Sequence, residues 1–203
     1  NRMKIGIMGG TFDPIHNGHL MLGHAAYEAF SLDQVWFMPN GNPPHKKSES
    51  IKSTAEDRMK MTSLAIAPFP EFVLQPYEAL RQEVSCSYQT MEHFKKVYPE
   101  DEFYFIIGAD SLMAIETWVH PERIFPTCTI LATYRDEVKT KEEMNEQIRH
   151  LSEKYGARIL LMETPLMPVA SHELRASLQT GKSVSEYVPE AVCSYIEEHD
   201  LYR

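Results

Sequence analysis

Long apolar runs are missing from this chain of 203 residues. No stretch approaches the ~20 consecutive apolar residues that a membrane-spanning helix needs. The amino end, Asn1-Arg2-Met3-Lys4, has no apolar signal core, and Asn1-Arg2 read as two residues ahead of a native start at Met3. Cysteine is scarce as well. Cys86, Cys128 and Cys193 are odd in number and far apart, which disfavours a disulfide frame or a zinc site and points to reduced thiols in the cytoplasm. Positive charge is also short. Twenty Lys and Arg stand against 29 Asp and Glu, a formal charge of −9, so a face for bulk nucleic acid or an anionic membrane is not expected. A local basic pocket remains compatible with that balance.

What is present suits an ordinary globular protein, with 43% hydrophobic and 24% charged residues. The length fits one α/β domain, taken as 3–203, and no repeat or linker marks a second. Apolar runs alternate with helical patterns: strands at Ile5–Met8, Gln34–Met38, Phe72–Leu74, Phe103–Ile107, Thr129–Thr133 and Arg158–Met162. Between them, Leu22, Ala25, Ala26 and Ala29 give a first helix its apolar stripe. Ser53 with Glu56 suggests a capping box for a helix to about Ala67. Thr90, Met91, Phe94, Val97 and Tyr98 mark one face of the next helix, and Met144, Ile148, Leu151 and Tyr155 that of a later one. Short helices from about Ser171 and Pro189 close the chain. Six strands with crossover helices predict a Rossmann-like, doubly wound, mainly parallel sheet with small C-terminal helices. Its ligands belong at the carboxyl ends of the strands, where strand order reverses.

The sharpest local pattern opens the chain. Gly9 and Gly10 follow the first strand and let backbone N–H groups approach a ligand. His16 and His19 come three residues apart, and a helix starting near Asn17 would aim both at one mouth beside its positive end, where a phosphate is the natural guest. A lone histidine there would read as a cap; two after a strand and paired glycines read as a nucleotide site. The stiff loop Pro39-Asn40-Gly41-Asn42-Pro43-Pro44-His45-Lys46-Lys47 carries the one tight basic cluster of the acidic chain. Gly108-Ala109-Asp110 ends the most strand-like run, with Trp118 eight residues beyond Asp110 as a stacking candidate. Ser171 as a helix N-cap and Arg175 four residues on would make a polyphosphate clamp.

Gly-Gly-Thr-Phe-Asp-Pro-Ile-His-Asn-Gly-His, residues 9–19, resembles the H-x-G-H signature of the nucleotidyltransferase superfamily. Within it, the later segments resemble the bacterial nicotinate mononucleotide adenylyltransferases of NAD biosynthesis, and the resemblance spans nearly the whole chain. It implies an enzyme that joins ATP to nicotinate mononucleotide and releases pyrophosphate, with Mg²⁺ carried on the ATP. The resemblance implies that His16 and His19 stabilise the transition state, with Gly9, Gly10, Thr11, Phe12, His19, Gly108, Asp110, Ser171 and Arg175 on ATP. It places Asn40, His45, Lys46, Tyr88, Gln89 and Trp118 on the acceptor. The family usually has Thr where Gln89 stands, and its I-S-S-T-x-x-R box has become Ala170-Ser171-His172 with Arg175 kept. No protein-bound metal is expected; a homodimer is allowed. Two rival readings stay open. One is an adenylyltransferase for the amide mononucleotide or another phosphomonoester, and the other is a non-catalytic nucleotide-binding regulator on the same fold.

Overall fold

A computed structural model describes residues 2–41, 52–165, 167 and 169–203. The elements run β1 (Lys4–Gly10), α1 (Asn17–Ala29), β2 (Gln34–Pro39), α2 (Ala55–Ile66), β3 (Phe72–Leu74), α3 (Ser87–Val97) and β4 (Glu102–Gly108). They continue with α4 (Ala109–Ala114), three single 3-10 turns between Ile115 and Thr127, β5 (Thr129–Tyr134), α5 (Lys141–Tyr155), β6 (Ile159–Glu163), α6 (Ser171–Gln179) and α7 (Glu190–Glu198). The six strands lie in the order β3-β2-β1-β4-β5-β6, which reverses direction between β1 and β4. β4 pairs in parallel with both β1 and β5, and β5 with β6; Ile5 sits beside Phe103, and Phe105 beside Ile130. That is the doubly wound parallel arrangement expected from the alternating runs. Central strands are apolar because both faces are covered: Ile130, Leu131 and Ala132 of β5 have no exposed surface. Gly6 of β1 is required by packing, since a Cβ there would come within 2.8 Å of Leu32.

Two compact units make up the chain. One comprises Asn1–Met8, Ala25–Val35 and Cys86–Leu166, and the other Gly9–His24, Trp36–Ser85 and Met167–Arg203. The first holds β4, β5, β6 and α3 to α5 and builds its core on Phe103, Phe105 and Ile130 with Met91, Phe94, Leu112, Met144 and Leu151. The second builds its own on Phe12, Ile15, Phe37, Met61, Phe72, Leu174, Val192 and Ile196. The carboxyl ends of β1 and β2 belong to this second unit, together with the segments that follow them.

Several local expectations are corrected. β1 runs through Gly9 and Gly10 instead of stopping before them. The cap of α2 is Thr54, whose Oγ1 accepts the Asp57 N–H at 3.0 Å, so Ser53 and Glu56 form no capping box. Ser53 is drawn out of that role by a buried carboxylate: its hydroxyl donates to Asp13 at 2.6 Å. In α1 the stripe shifts, with Gly23 and Ala26 buried and Ala29 exposed. Val97 and Tyr98, at the end of α3, are turned to solvent, and α5 buries Met144 and Leu151 but only half-buries Ile148 and Tyr155. Tyr155 keeps its hydroxyl on Glu116 instead, at 2.8 Å. α7 is capped by Pro189 and begins one residue later than its proline suggested.

Candidate functional site

The turn from Gly9 to His19 is held by hydrogen bonds to its backbone. Phe12 holds a left-handed backbone (φ 51°), a conformation that non-glycine residues adopt only when the surroundings impose it. Its buried ring makes the imposition, packing on Phe37 at 6.0 Å and edge-on against His19 at 5.0 Å between centroids. Gly10 leaves room for it, because an added Cβ would come within 3.1 Å of that ring. The carbonyls of the turn are claimed by side chains from afar. Thr11 O accepts from Arg58 of α2 at 3.0 Å, Asp13 O from Arg175 of α6 at 2.8 Å, and Pro14 O from the Ser171 hydroxyl at 2.9 Å.

The two histidines meet as a pair, their rings 3.8 Å apart and tilted by 30°. Each ring receives a backbone N–H on Nδ1: Gly18 N donates to His16 at 3.0 Å, and His16 N donates to His19 at 3.1 Å. An imidazole that accepts at Nδ1 and is neutral carries its proton at Nε2. Burial lowers both pKa values, to about 4 for His16 and about 3 for His19, where the neighbouring His16 adds to the effect. Near pH 7 the pair is therefore neutral and presents two Nε2–H donors, neither with a protein acceptor among the described residues. An arriving polyphosphate would pull both pKa values upward and strengthen those donors. Gly18 between them has no alternative, since a Cβ would lie 2.8 Å from His16 Cε1 and 2.9 Å from His16 Nδ1.

One expectation fails here. The amino end of α1 is not an open anion site, because Asn17 N donates to Tyr187 O at 2.8 Å, Gly18 N to His16, and His19 N to His16 O at 3.0 Å. The donors come instead from the two rings. α6 differs. Its N-cap is Ala170, not Ser171, because the helix begins at Ser171; alanine offers no side-chain acceptor, and Glu173 reaches back to accept from Ala170 N at 3.1 Å. The backbone N–H groups of Ser171 and His172 have no protein acceptor among the described residues, and one nitrogen of Arg175 holds the turn while the rest of its fork is unclaimed. α6, with exposed His172 at its start, can take phosphate oxygens where α1 cannot.

The second unit thus brings together Gly9, Gly10, Thr11, Phe12, His16, His19, Asn40, Ser171 and Arg175. Asn40 donates its N–H to Gly10 O at 2.9 Å and gives its carbonyl to Arg58 at 2.6 Å. His45 and Lys46 lie outside the described residues. The first unit holds the others. Gly108 caps α4 and Asp110 is exposed in its first turn. Trp118 is half-buried, edge-on to Phe105 at 6.3 Å. Tyr88 carries the Arg123 guanidinium over its ring at 4.7 Å and meets His120 edge-on at 5.1 Å. Gln89 reaches back and accepts from Cys86 N at 3.4 Å, a cap interaction at the start of α3.

Sequence reading missed Asp13, Arg58 and Tyr202. Asp13 is 1% exposed and receives Lys52 N at 2.7 Å, Ser53 Oγ at 2.6 Å and Tyr202 Oη at 2.5 Å. A signal for Arg58 was present. It shares one helical face with Met61, Thr62, Ala65 and Ile66, all buried, and a cation on that stripe has to have buried acceptors. Nothing in the sequence marks Tyr202.

The depressed imidazoles make a prediction about acid. Their folded values lie below the ordinary 6.5, so the unfolded chain takes up protons first as pH falls. Stability is whole above about pH 6.5, is lost from there down toward pH 4 to 3, and levels off below. For His16 alone, moving from 6.5 to about 4 is on the order of 3 kcal/mol. Urea unfolding at half-unit steps from pH 7.5 to 4 checks this; a midpoint unchanged between pH 7 and 5 would contradict it.

Comparison with known proteins places the chain in a family. The Cytidylyltransferase-like family matches residues 7–189. A protein of Lachnoclostridium phytofermentans named probable nicotinate-nucleotide adenylyltransferase is 42% identical over 200 residues, covering 98% of each chain. A protein of the same name from Clostridium kluyveri is 38% identical over 203 residues, covering 99% of this chain and all of the relative. In fold, the Plasmodium falciparum nicotinic acid mononucleotide adenylyltransferase complexed with NaAD superposes with a TM-score of 0.80 at 20% identity, over 99% of this chain and 98% of that one. The chain belongs to the cytidylyltransferase-like family and, within it, to the group named nicotinate-nucleotide adenylyltransferases.

Proposed function

We propose that this chain transfers the adenylyl group of ATP to nicotinate mononucleotide, giving nicotinate adenine dinucleotide and pyrophosphate. The observation that carries it is the close, neutral imidazole pair, each ring held at Nδ1 by a backbone N–H and so carrying its donor at Nε2. The full-length relatives named for that reaction supply the substrate class. A phosphate oxygen of the mononucleotide attacks the ATP α-phosphorus in line. A new P–O bond forms as the bond to the bridging oxygen breaks, and pyrophosphate leaves with that electron pair. The attacking phosphate is already an anion, so no general base is needed, and the protein's task is positioning and charge stabilisation.

Each role is assigned on that basis. His16 and His19 donate to oxygens around the reacting phosphorus, where negative charge grows. The backbone of Gly9, Gly10, Thr11 and Phe12 approaches the nucleotide, and the N–H groups of Ser171 and His172 with the free edge of Arg175 take the β- and γ-phosphates. Gly108 and Asp110 meet the ribose. Trp118 stacks the pyridine ring, with Tyr88 and Gln89 beside its carboxylate. Asn40, His45 and Lys46 serve the acceptor phosphate. Mg²⁺ arrives on the ATP phosphates as part of the Mg-ATP substrate.

The test is a panel. With Mg-ATP and equal concentrations of nicotinate mononucleotide, its amide and other phosphomonoesters, nicotinate mononucleotide is expected to be adenylylated with a kcat/KM at least about tenfold above the rest. Equal or faster use of the amide would overturn the acceptor assignment, and nucleotide binding without any turnover would overturn the reaction.

A further inference from the structure

We propose that Asp13, Arg58 and Tyr202 are positioning residues: a buried hub through which the second-last residue of the chain sets the placement of His16 and His19. This rests on the adenylyl-transfer reading above. Each member is a polar group far from solvent whose partners all lie in or beside the histidine turn. Arg58, 2% exposed, bridges with one nitrogen the carbonyls of Thr11, at the start of the turn, and Asn40, just past β2. Asp13, three residues before His16, gathers the backbone of Lys52, the Ser53 hydroxyl and the Tyr202 hydroxyl. Its carboxylate lies close enough to Arg58 and Tyr202 that both feel its charge.

The end of the chain is bent to make this contact. Asp200 (φ 52°) and Tyr202 (φ 63°) both take the left-handed backbone, and Leu201 N is tied to Ile196 O at 3.0 Å. Two such residues in three imply that the surroundings fix the segment, and such conformations cluster where geometry matters for function. Burial and the Asp13 charge push the Tyr202 hydroxyl far above its ordinary pKa, so it remains a donor at every physiological pH. A buried carboxylate is costly unless its hydrogen bonds are complete, and no step of the proposed reaction uses Asp13. What its bonds accomplish is to hold the backbone from which the imidazole pair projects. Small displacements of reacting groups cost large factors in rate, so a hub of this kind should be read out in turnover.

The variant Tyr202→Phe keeps the ring and removes only the donor. Expected is a kcat lowered by about tenfold or more, KM values for both substrates within about threefold of wild type, and product binding still near one per chain. In the ligand-free protein, the C2–H proton resonances of His16 and His19 are expected to move, with titration midpoints shifted up toward 6.5 as the turn loosens. Ser53→Ala removes a different donor from the same carboxylate and should lower kcat by about threefold, which keeps the test open if Tyr202→Phe does not fold. A kcat within twofold of wild type overturns the proposal. So does a loss of kcat matched by an equal loss of product-binding stoichiometry, the mark of a merely structural residue. If the wild-type protein adenylylates nothing, the parent reading fails separately. The resonances then decide, and unmoved signals in Tyr202→Phe overturn the hub.

Discussion

Replacing His19 by alanine is expected to lower turnover by about 10²–10³-fold while leaving KM for ATP and acceptor nearly unchanged. The magnitude is that of removing one preorganised donor from a developing oxyanion. The direction follows from the ring's Nε2–H, whose acceptor grows stronger as charge builds at the α-phosphate. More than one donor is lost, however. The His19 ring also packs against His16, accepts the His16 N–H and meets Phe12 edge-on. Its removal leaves that N–H unpaired and His16 without a neighbour, so His16→Ala/His19→Ala should be little worse than His19→Ala alone. His19→Asn separates the two contributions. Its carboxamide oxygen can still accept from His16 N while nothing stands where Nε2 was, and turnover should stay as low as in the alanine variant. Pyrophosphate release under saturating substrates measures all three. A His19→Ala enzyme within about threefold of wild type would remove the imidazoles from the mechanism.

Periodicity and turn chemistry made the architecture legible, because each depends on neighbours in sequence. All six strands and the start of α1 at Asn17 follow from apolar runs and their breakers. Caps were less legible, since a hydroxyl has several possible acceptors and tertiary structure chooses. Ser53 and Ser171 both looked like N-caps; both instead donate across the fold, to Asp13 and to Pro14 O. The box that does form, Thr140 with Glu143 at 3.1 and 3.0 Å, sits on an exposed helix start where nothing competes. In the site, the identity of the histidines was visible and their state was not. Neutrality and the Nε2–H form come from burial and from two backbone N–H groups, neither of which the sequence displays. The same holds for the closed end of α1, whose Asn17 N–H is taken by Tyr187, 170 residues away. Long-range partners of that kind are set by the fold alone.

Arg58→Met is expected to be the most destabilising single change in the second unit, by about 3–5 kcal/mol. Methionine fills most of the arginine stem's volume, so the loss is not mainly a cavity. It is the loss of donors: the carbonyls of Thr11 and Asn40 both give up their bond to Nη1, and the Asp13 carboxylate loses the charge of a neighbouring buried guanidinium. Only the cation is removed, so two buried carbonyls lose their donor while the Asp13 carboxylate stays behind with its three donors. For a chain of this length each kcal/mol is worth about 2–4 °C, so the melting temperature should fall by roughly 10 °C. Arg58→Lys should fall between wild type and Met. An ammonium retains the charge but sits on a shorter, more flexible stem than the guanidinium nitrogen that holds two carbonyls at 3.0 and 2.6 Å. Calorimetry on the three proteins orders them. A Met variant melting within 2 °C of wild type would mean that the turn is held by Asp13, Ser171 and Arg175 without the buried cation, and that the bridge between Thr11 and Asn40 is dispensable.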